Sequence, residues 1–176
     1  MKKVMFDKRV FNKKTTDILI SIGIVGAFFA IMLSRYTFTL QSDDAQMRAI
    51  ASGAFTGHTD GHLVFMKYVL GVFISSLYKV FPEYNCYGIF FFGLIAGVMV
   101  LYCTYFLEER SYFQAILFGA LFIIIIIPLI LELNFTYSAV IVGSLALFYQ
   151  IIDNCNSKRS KVFFVLSLWL CYCIRY

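Results

Sequence analysis

Between residues 35 and 62 the segment RYTFTLQSDDAQMRAIASGAFTGHTDGH gathers most of the side chains able to do chemistry. Asp43 and Asp44 are adjacent in it. Two neighbouring carboxyls raise each other's pKa, can share a divalent cation, and let one serve as a general base. The competing account is structural: a helix cap plus a solvated loop charge. His58, Asp60 and His62 fall at every second position. On an extended backbone alternate side chains share a face, so this spacing suits zinc or manganese. Gly53, Gly57 and Gly61 make the same run an ordinary loop. Arg35 and Arg48 flank the acids, where a guanidinium can meet a substrate phosphate or a carboxylate. Arg35 also fits the role of an interfacial anchor. Glu132 closes a later apolar run and precedes Asn134, Phe135 and Thr136. A carboxylate at such a helix end is either functional or a marker of the membrane boundary.

The elements that must position these groups are overwhelmingly apolar. Of the 176 residues, 61% are hydrophobic and only 14% charged, and mean hydropathy is +0.81. A soluble domain averages about 45–50% apolar and about 25% charged residues. A chain this small cannot hide so much apolar surface from water, whereas a bilayer removes the need to. Disorder is excluded on the same grounds. The net charge of +5 comes largely from Lys2, Lys3, Lys8, Arg9, Lys13 and Lys14. A basic segment directly before an apolar run marks a cytoplasmic flank. No basic stripe with interleaved aromatics occurs elsewhere, which argues against nucleic acid as a partner. The five cysteines, at 86, 103, 155, 171 and 173, form no CxxC pair and read as small apolar fillers.

Apolar runs cover 18–33, 63–81, 87–106, 112–131, 135–152 and 162–176. The first follows Asp17 and lacks a signal-cleavage pattern before Arg35, so it is expected to be an uncleaved anchor with its amino terminus inside. Ser42, Asp43 and Asp44 are expected to start a short helix ending near Ser52, where glycines break it. If all six runs cross, Lys158, Arg159 and Lys161 end up outside, against the positive-inside rule. One run must therefore stay on one side. The best candidate is 63–81, which carries Lys67 and Lys79 and is better placed as an interfacial or re-entrant helix. Glu132 to Thr136 then faces outward beside the first acidic loop. Pro128 is tolerable in a membrane helix when neighbours satisfy the freed carbonyl. Tyr36, Tyr68, Tyr78, Tyr84 and Tyr87 are expected to form an aromatic belt around the outer loop.

An inside amino terminus, one span, an outer loop with Asp43 and Asp44, and an amphipathic run before the next span resemble the start of the GT-C glycosyltransferases. These are multi-span enzymes that use polyprenyl-phosphate-linked sugars. The phrase SDDAQMRAIASGAFTGHTDGHLVFMKYVLGVFISSLYKVFPEYNCYG is also similar to the corresponding part of bacterial membrane proteins associated with that superfamily. The resemblance covers roughly residues 15–140. It implies a first-loop acid, here Asp43 or Asp44, as catalytic base or metal holder. It also implies a second acid at the outer end of a later span, which maps onto Glu132, and a juxtamembrane helix matching 63–81. The carboxylate would deprotonate an acceptor hydroxyl as it attacks the anomeric carbon, while cationic groups neutralise the departing lipid phosphate. The chain is shorter than such enzymes and lacks their later outer domain.

The expected fold is therefore all-α and polytopic, with four or five transmembrane helices and one interfacial helix. Residues 1–16 form a basic cytoplasmic head, and 17–176 a single membrane domain with the outer loop 35–62. The chain stops at Cys173, Ile174, Arg175 and Tyr176, right after a short apolar run, so it is expected to be an amino-terminal portion, inactive alone. The expected activity is sugar transfer from a polyprenyl-phosphate donor at the outer face of the cell membrane, with a divalent cation as the candidate cofactor. The alternative is a small non-enzymatic multi-pass protein, such as a transporter subunit or assembly partner. Its apolar runs hold few polar groups and no repeated broken-helix pair, which weighs against transport.

Overall fold

The computed structural model describes residues 2–36, 39–40, 42–109 and 131–152, plus the single positions 124, 127, 165, 168, 169 and 172. Within them the chain is helical. In order come α1 (Lys2–Arg35), β1 (Thr39–Leu40), α2 (Ser42–Ser52), α3 (Tyr68–Val80), α4 (Cys86–Glu109), β2 (Glu132–Leu133) and α5 (Phe135–Ile152). The apolar runs 112–131 and 162–176, with Pro128 and the basic group at 158–161, lie outside the described residues apart from those single positions.

Two described helices are long and apolar enough to cross a membrane, Lys13–Arg35 and Cys86–Leu107. Both runs are free of proline, so no backbone donor is lost along their length. The chain divides into two units, Met1–Thr37 with Ala96–Pro128, and Phe38–Ile95 with Leu129–Tyr176. In the first unit α1 buries a narrow stripe of Ser21, Val25 and Met32. Ser21 Oγ donates to the Asp17 carbonyl at 2.8 Å, and Thr104 Oγ1 lies 2.9 Å from Ser21 Oγ. Over 18–33 most of the remaining α1 surface is apolar and uncovered, with Leu19 and Ile31 each 62% exposed. Such a surface is stable in lipid and costly in water.

The second unit holds the acidic segment from Phe38 onward. Helix α2 buries Asp44, Met47 and Ala51, spaced three and four apart along one face. It ends where expected because Gly53 adopts φ +83°. The Gly53 N–H bonds the Ile50 carbonyl and the Ala54 N–H the Ala49 carbonyl, which closes the helix in a Schellman cap. A side chain at Gly53 would also strike the His58 backbone.

Helix α3 starts later than the apolar run does. Residues 63–66 close a turn instead, with the Met66 N–H on the Leu63 carbonyl, while Leu63 and Met66 are buried. Lys67, at ψ 139°, stands at the helix entrance. The loop before α3 is stapled on both sides: Asp60 N–H bonds the Ile50 carbonyl, and Ser75 Oγ donates to the Asp60 carbonyl. Helix α3 then buries Leu70, Gly71, Ile74, Ser75 and Tyr78. Its 13 residues span about 20 Å, well short of a hydrocarbon core about 30 Å thick.

Gly71 faces the Gly61 carbonyl so closely that an added Cβ would collide with it. Gly71→Ala is therefore expected to lower stability by about 1–3 kcal/mol through overpacking, despite alanine's better helix propensity. Gly93→Ala on α4, where nothing lies within 4 Å, should be neutral or stabilising by up to about 1 kcal/mol. Melting of the two variants in detergent checks this, and equal shifts would contradict it.

Candidate functional site

The carboxyl of Asp44 is wholly buried. Its Oδ1 accepts from the Tyr87 hydroxyl at 2.6 Å and from the Phe135 N–H at 3.0 Å. Tyr87 lies in the first turn of α4 and Phe135 opens α5, so one carboxyl oxygen joins α2 to two helix starts. Asn134 completes the α5 entrance, its Oδ1 accepting from the Thr136 N–H at 2.6 Å. A carboxylate at the amino end of α5 is favoured by the helix dipole. The second oxygen, Oδ2, is buried with no hydrogen-bond partner among the described residues. Burial pushes the Asp44 pKa up, and the neighbouring Asp43 charge adds to it. The bonds from Tyr87 and Phe135 pull the other way without cancelling the rise.

Asp43 has a different position. It is exposed on the first turn of α2, one residue round from the buried stripe. Glu132 is drawn to the same segment: β1 and β2 pair in parallel, with Thr39 opposite Glu132 and Leu40 opposite Leu133. Leu133 is buried while Glu132 is exposed. Phe65 stacks on Phe135 with ring centroids 5.9 Å apart, closing the apolar side of this junction. The acidic helix and the residues from 132 to 135 are thus held together by a backbone bridge and a buried carboxyl.

The arginines lie elsewhere. Arg48 is five residues beyond Asp43, about 140° round the helix at 3.6 residues per turn. It lines an open cleft with Ser52, Tyr78, Glu83, Tyr84 and Asn85, of volume about 230 Å³. Neither aspartate lines that cleft. The Tyr78 hydroxyl accepts from the Tyr87 N–H at 3.2 Å; burial raises its pKa, and the Arg48 charge opposes that rise. Arg35 ends α1 as an exposed residue in its basic last turn, where a cation favours the dipole.

The run from His58 to His62 is a folded loop. His58 Nδ1 lies 3.1 Å from the Thr56 carbonyl, while His62 Nδ1 lies 2.7 Å from Asp60 Oδ1. The His62 N–H also donates to Asp60 Oδ1, at 2.9 Å. The two His62 bonds hold the exposed Asp60 below the usual carboxylate range. Among the described residues no group of three His, Cys, Asp or Glu is placed to hold a metal ion. In this arrangement His58 Nδ1 is engaged at the Thr56 carbonyl and Asp60 Oδ1 with His62, and the three residues do not gather as a metal-holding group.

The tyrosines divide as well. Tyr36, Tyr68 and Tyr84 are exposed as belt residues are, but Tyr78 and Tyr87 are 4% and 0% exposed. Those two are internal hydrogen-bonding groups, not part of a belt. Sequence reasoning missed Tyr87 as the partner of Asp44. The available signal was the phase of α2: Asp44 precedes Met47 by three and Ala51 by seven, which puts it on the buried face.

Asp44→Ala is expected to strand two buried donors at about 1–3 kcal/mol each, on the order of 2–6 kcal/mol in all. Asp44→Asn keeps an acceptor and should cost less. The raised pKa gives a sign: the folded chain holds the Asp44 proton to higher pH than the unfolded chain, whose value is near 3.8. Its contribution is therefore complete below that value and declines as pH rises toward the folded pKa. Melting in detergent from about pH 4 upward should show this decline in the parent and its loss in Asp44→Asn. An unchanged slope in the variant would contradict the assignment.

No known protein family, curated protein or solved structure matches this chain.

Proposed function

We propose that this chain is the amino-terminal membrane part of a glycosyltransferase that takes sugar from a polyprenyl-phosphate carrier at the outer membrane face. The observation that supports it most is the meeting of Asp43, Asp44 and the Glu132 segment around one buried junction. The two acids divide the work. Asp44 fastens the helix, and Asp43, exposed beside it, is the general base. It accepts the acceptor hydroxyl proton as that oxygen bonds the anomeric carbon, and the bond to the lipid phosphate breaks with its electron pair leaving on phosphate. Glu132 is the second acid of the site.

The junction also supports the membrane frame. Tyr87 reaches Asp44, which supports a reading in which α3 makes no net crossing. Phe135 reaches the same carboxyl, which supports a reading in which the chain between Tyr87 and Phe135 starts and ends at one level. Helix α4 is long and apolar enough for one passage. The basic head supports an inside amino terminus, and one crossing by α1 then carries the junction to the outer side in this reading. A second reading, a non-enzymatic membrane partner, draws on the same junction, since a buried acid that locks helices serves a scaffold equally well.

Sugar transfer by the complete gene product in membranes separates the two. Asp43→Asn is expected to lower the rate by about 10²-fold or more, the usual contribution of a general base, with the melting temperature unchanged. Undiminished transfer in Asp43→Asn and Asp44→Asn alike would remove both acids from the active site.

A further inference from the structure

The cleft around Arg48 is a second site, distinct from the acidic junction. Its walls come from α2, the end of α3 and the turn into α4. Arg48 and Glu83 both line it and both are exposed. They form no ion pair with each other, and neither has an ion pair among the described residues. Two opposite charges that face one cavity without neutralising each other are complementary to a ligand carrying both signs.

The position of the cleft narrows the ligand further. Asn85 lines the cleft and caps α4, its Oδ1 accepting from the Gly88 N–H at 3.1 Å. The N–H groups that open α4 are already satisfied, Cys86 by the Tyr84 carbonyl, Tyr87 by the Tyr78 hydroxyl and Gly88 by Asn85, so Arg48 is the group an anion meets in this cleft. Immediately after Asn85 begins the 22-residue apolar stretch Cys86–Leu107. Tyr84, which lines the cleft, is 63% exposed and meets the exposed Phe81 ring edge to face at 6.3 Å. Aromatic rings at the start of an apolar helix mark the headgroup level of a bilayer.

We propose that this cleft binds the headgroup of a zwitterionic phospholipid, its phosphate against Arg48 and its ammonium against Glu83. Arginine matches a phosphate with two parallel donors, and a carboxylate is the natural partner of a primary ammonium. An anionic lipid such as phosphatidylglycerol satisfies Arg48 but leaves Glu83 unpaired. The site therefore prefers phosphatidylethanolamine. The proposal rests on α4 entering the membrane, and is independent of sugar transfer.

The test is reconstitution of the full chain with equal phosphatidylethanolamine and phosphatidylglycerol, followed by extraction and mass spectrometry of the retained lipid. The parent should keep phosphatidylethanolamine about tenfold over phosphatidylglycerol, the effect of one charge-assisted hydrogen bond. Glu83→Gln should erase that preference, and Arg48→Gln should weaken retention of both lipids, with melting unchanged in each. Equal retention of the two lipids by a parent that resists carbonate extraction would overturn this inference alone. Release of the chain by carbonate would overturn the membrane frame and the inference with it. Displacement of the lipid by micromolar soluble glycerophosphoethanolamine would overturn the lipid source in favour of a soluble ligand.

Discussion

The buried carboxyl of Asp44 is the constraint on which the rest of the second unit depends. Removing a carboxyl from water is unfavourable unless hydrogen bonds compensate it. Here both donors converge on one oxygen, from the Tyr87 hydroxyl and the Phe135 N–H. Tyr87 is also wholly buried, so its hydroxyl needs a partner as much as the carboxyl does. Each group satisfies the other, and neither is easily replaced alone. Because the donors belong to two different helix starts, a single side chain fixes three segments that are far apart in sequence.

That arrangement separates structure from chemistry in a pair of identical residues. Asp44 is committed inward, which leaves Asp43 as the exposed carboxyl on the proposed catalytic side. Parallel pairing of Thr39 and Leu40 with Glu132 and Leu133 brings a third carboxylate to the same segment. Arg48, the cation closest to the acids in sequence, belongs with Glu83 in another cleft. The surface so divided carries two candidate binding places, one acidic and one of mixed charge.

Much of the scaffold was legible because apolar length and turn chemistry are local signals. The 135–152 run coincides with α5, and the 87–106 run lies inside α4. Helix α2 begins at Ser42 and stops before Gly53, whose positive φ a glycine readily adopts. The start of α3 was not legible: Leu63 and Met66 are apolar because a turn buries them, and hydropathy does not distinguish that from a helix. Between the two readings of the histidine run, an extended ligand face and an ordinary loop, hydropathy and spacing could not choose, since a side-chain turn at Asp60 sets its course. Tyr78 and Tyr87 resembled interface residues because their burial depends on contacts with segments distant in the chain. The different fates of Asp43 and Asp44 follow from a rotation of about 100° around α2, visible only once the helix phase is taken from Met47 and Ala51.

The central claim is that Asp44 holds the acidic segment against the residues that open α5. Cysteines at positions 39 and 132, which pair across the parallel bridge, test it directly, because neighbouring strands bring Cα atoms within disulfide range. In a background without the native cysteines, mild oxidation of the membrane-embedded chain should cross-link Thr39→Cys to Glu132→Cys rapidly, and adding Asp44→Ala should slow the reaction. Failure of the folded parent pair to cross-link, or cross-linking that ignores the loss of Asp44, would contradict the account.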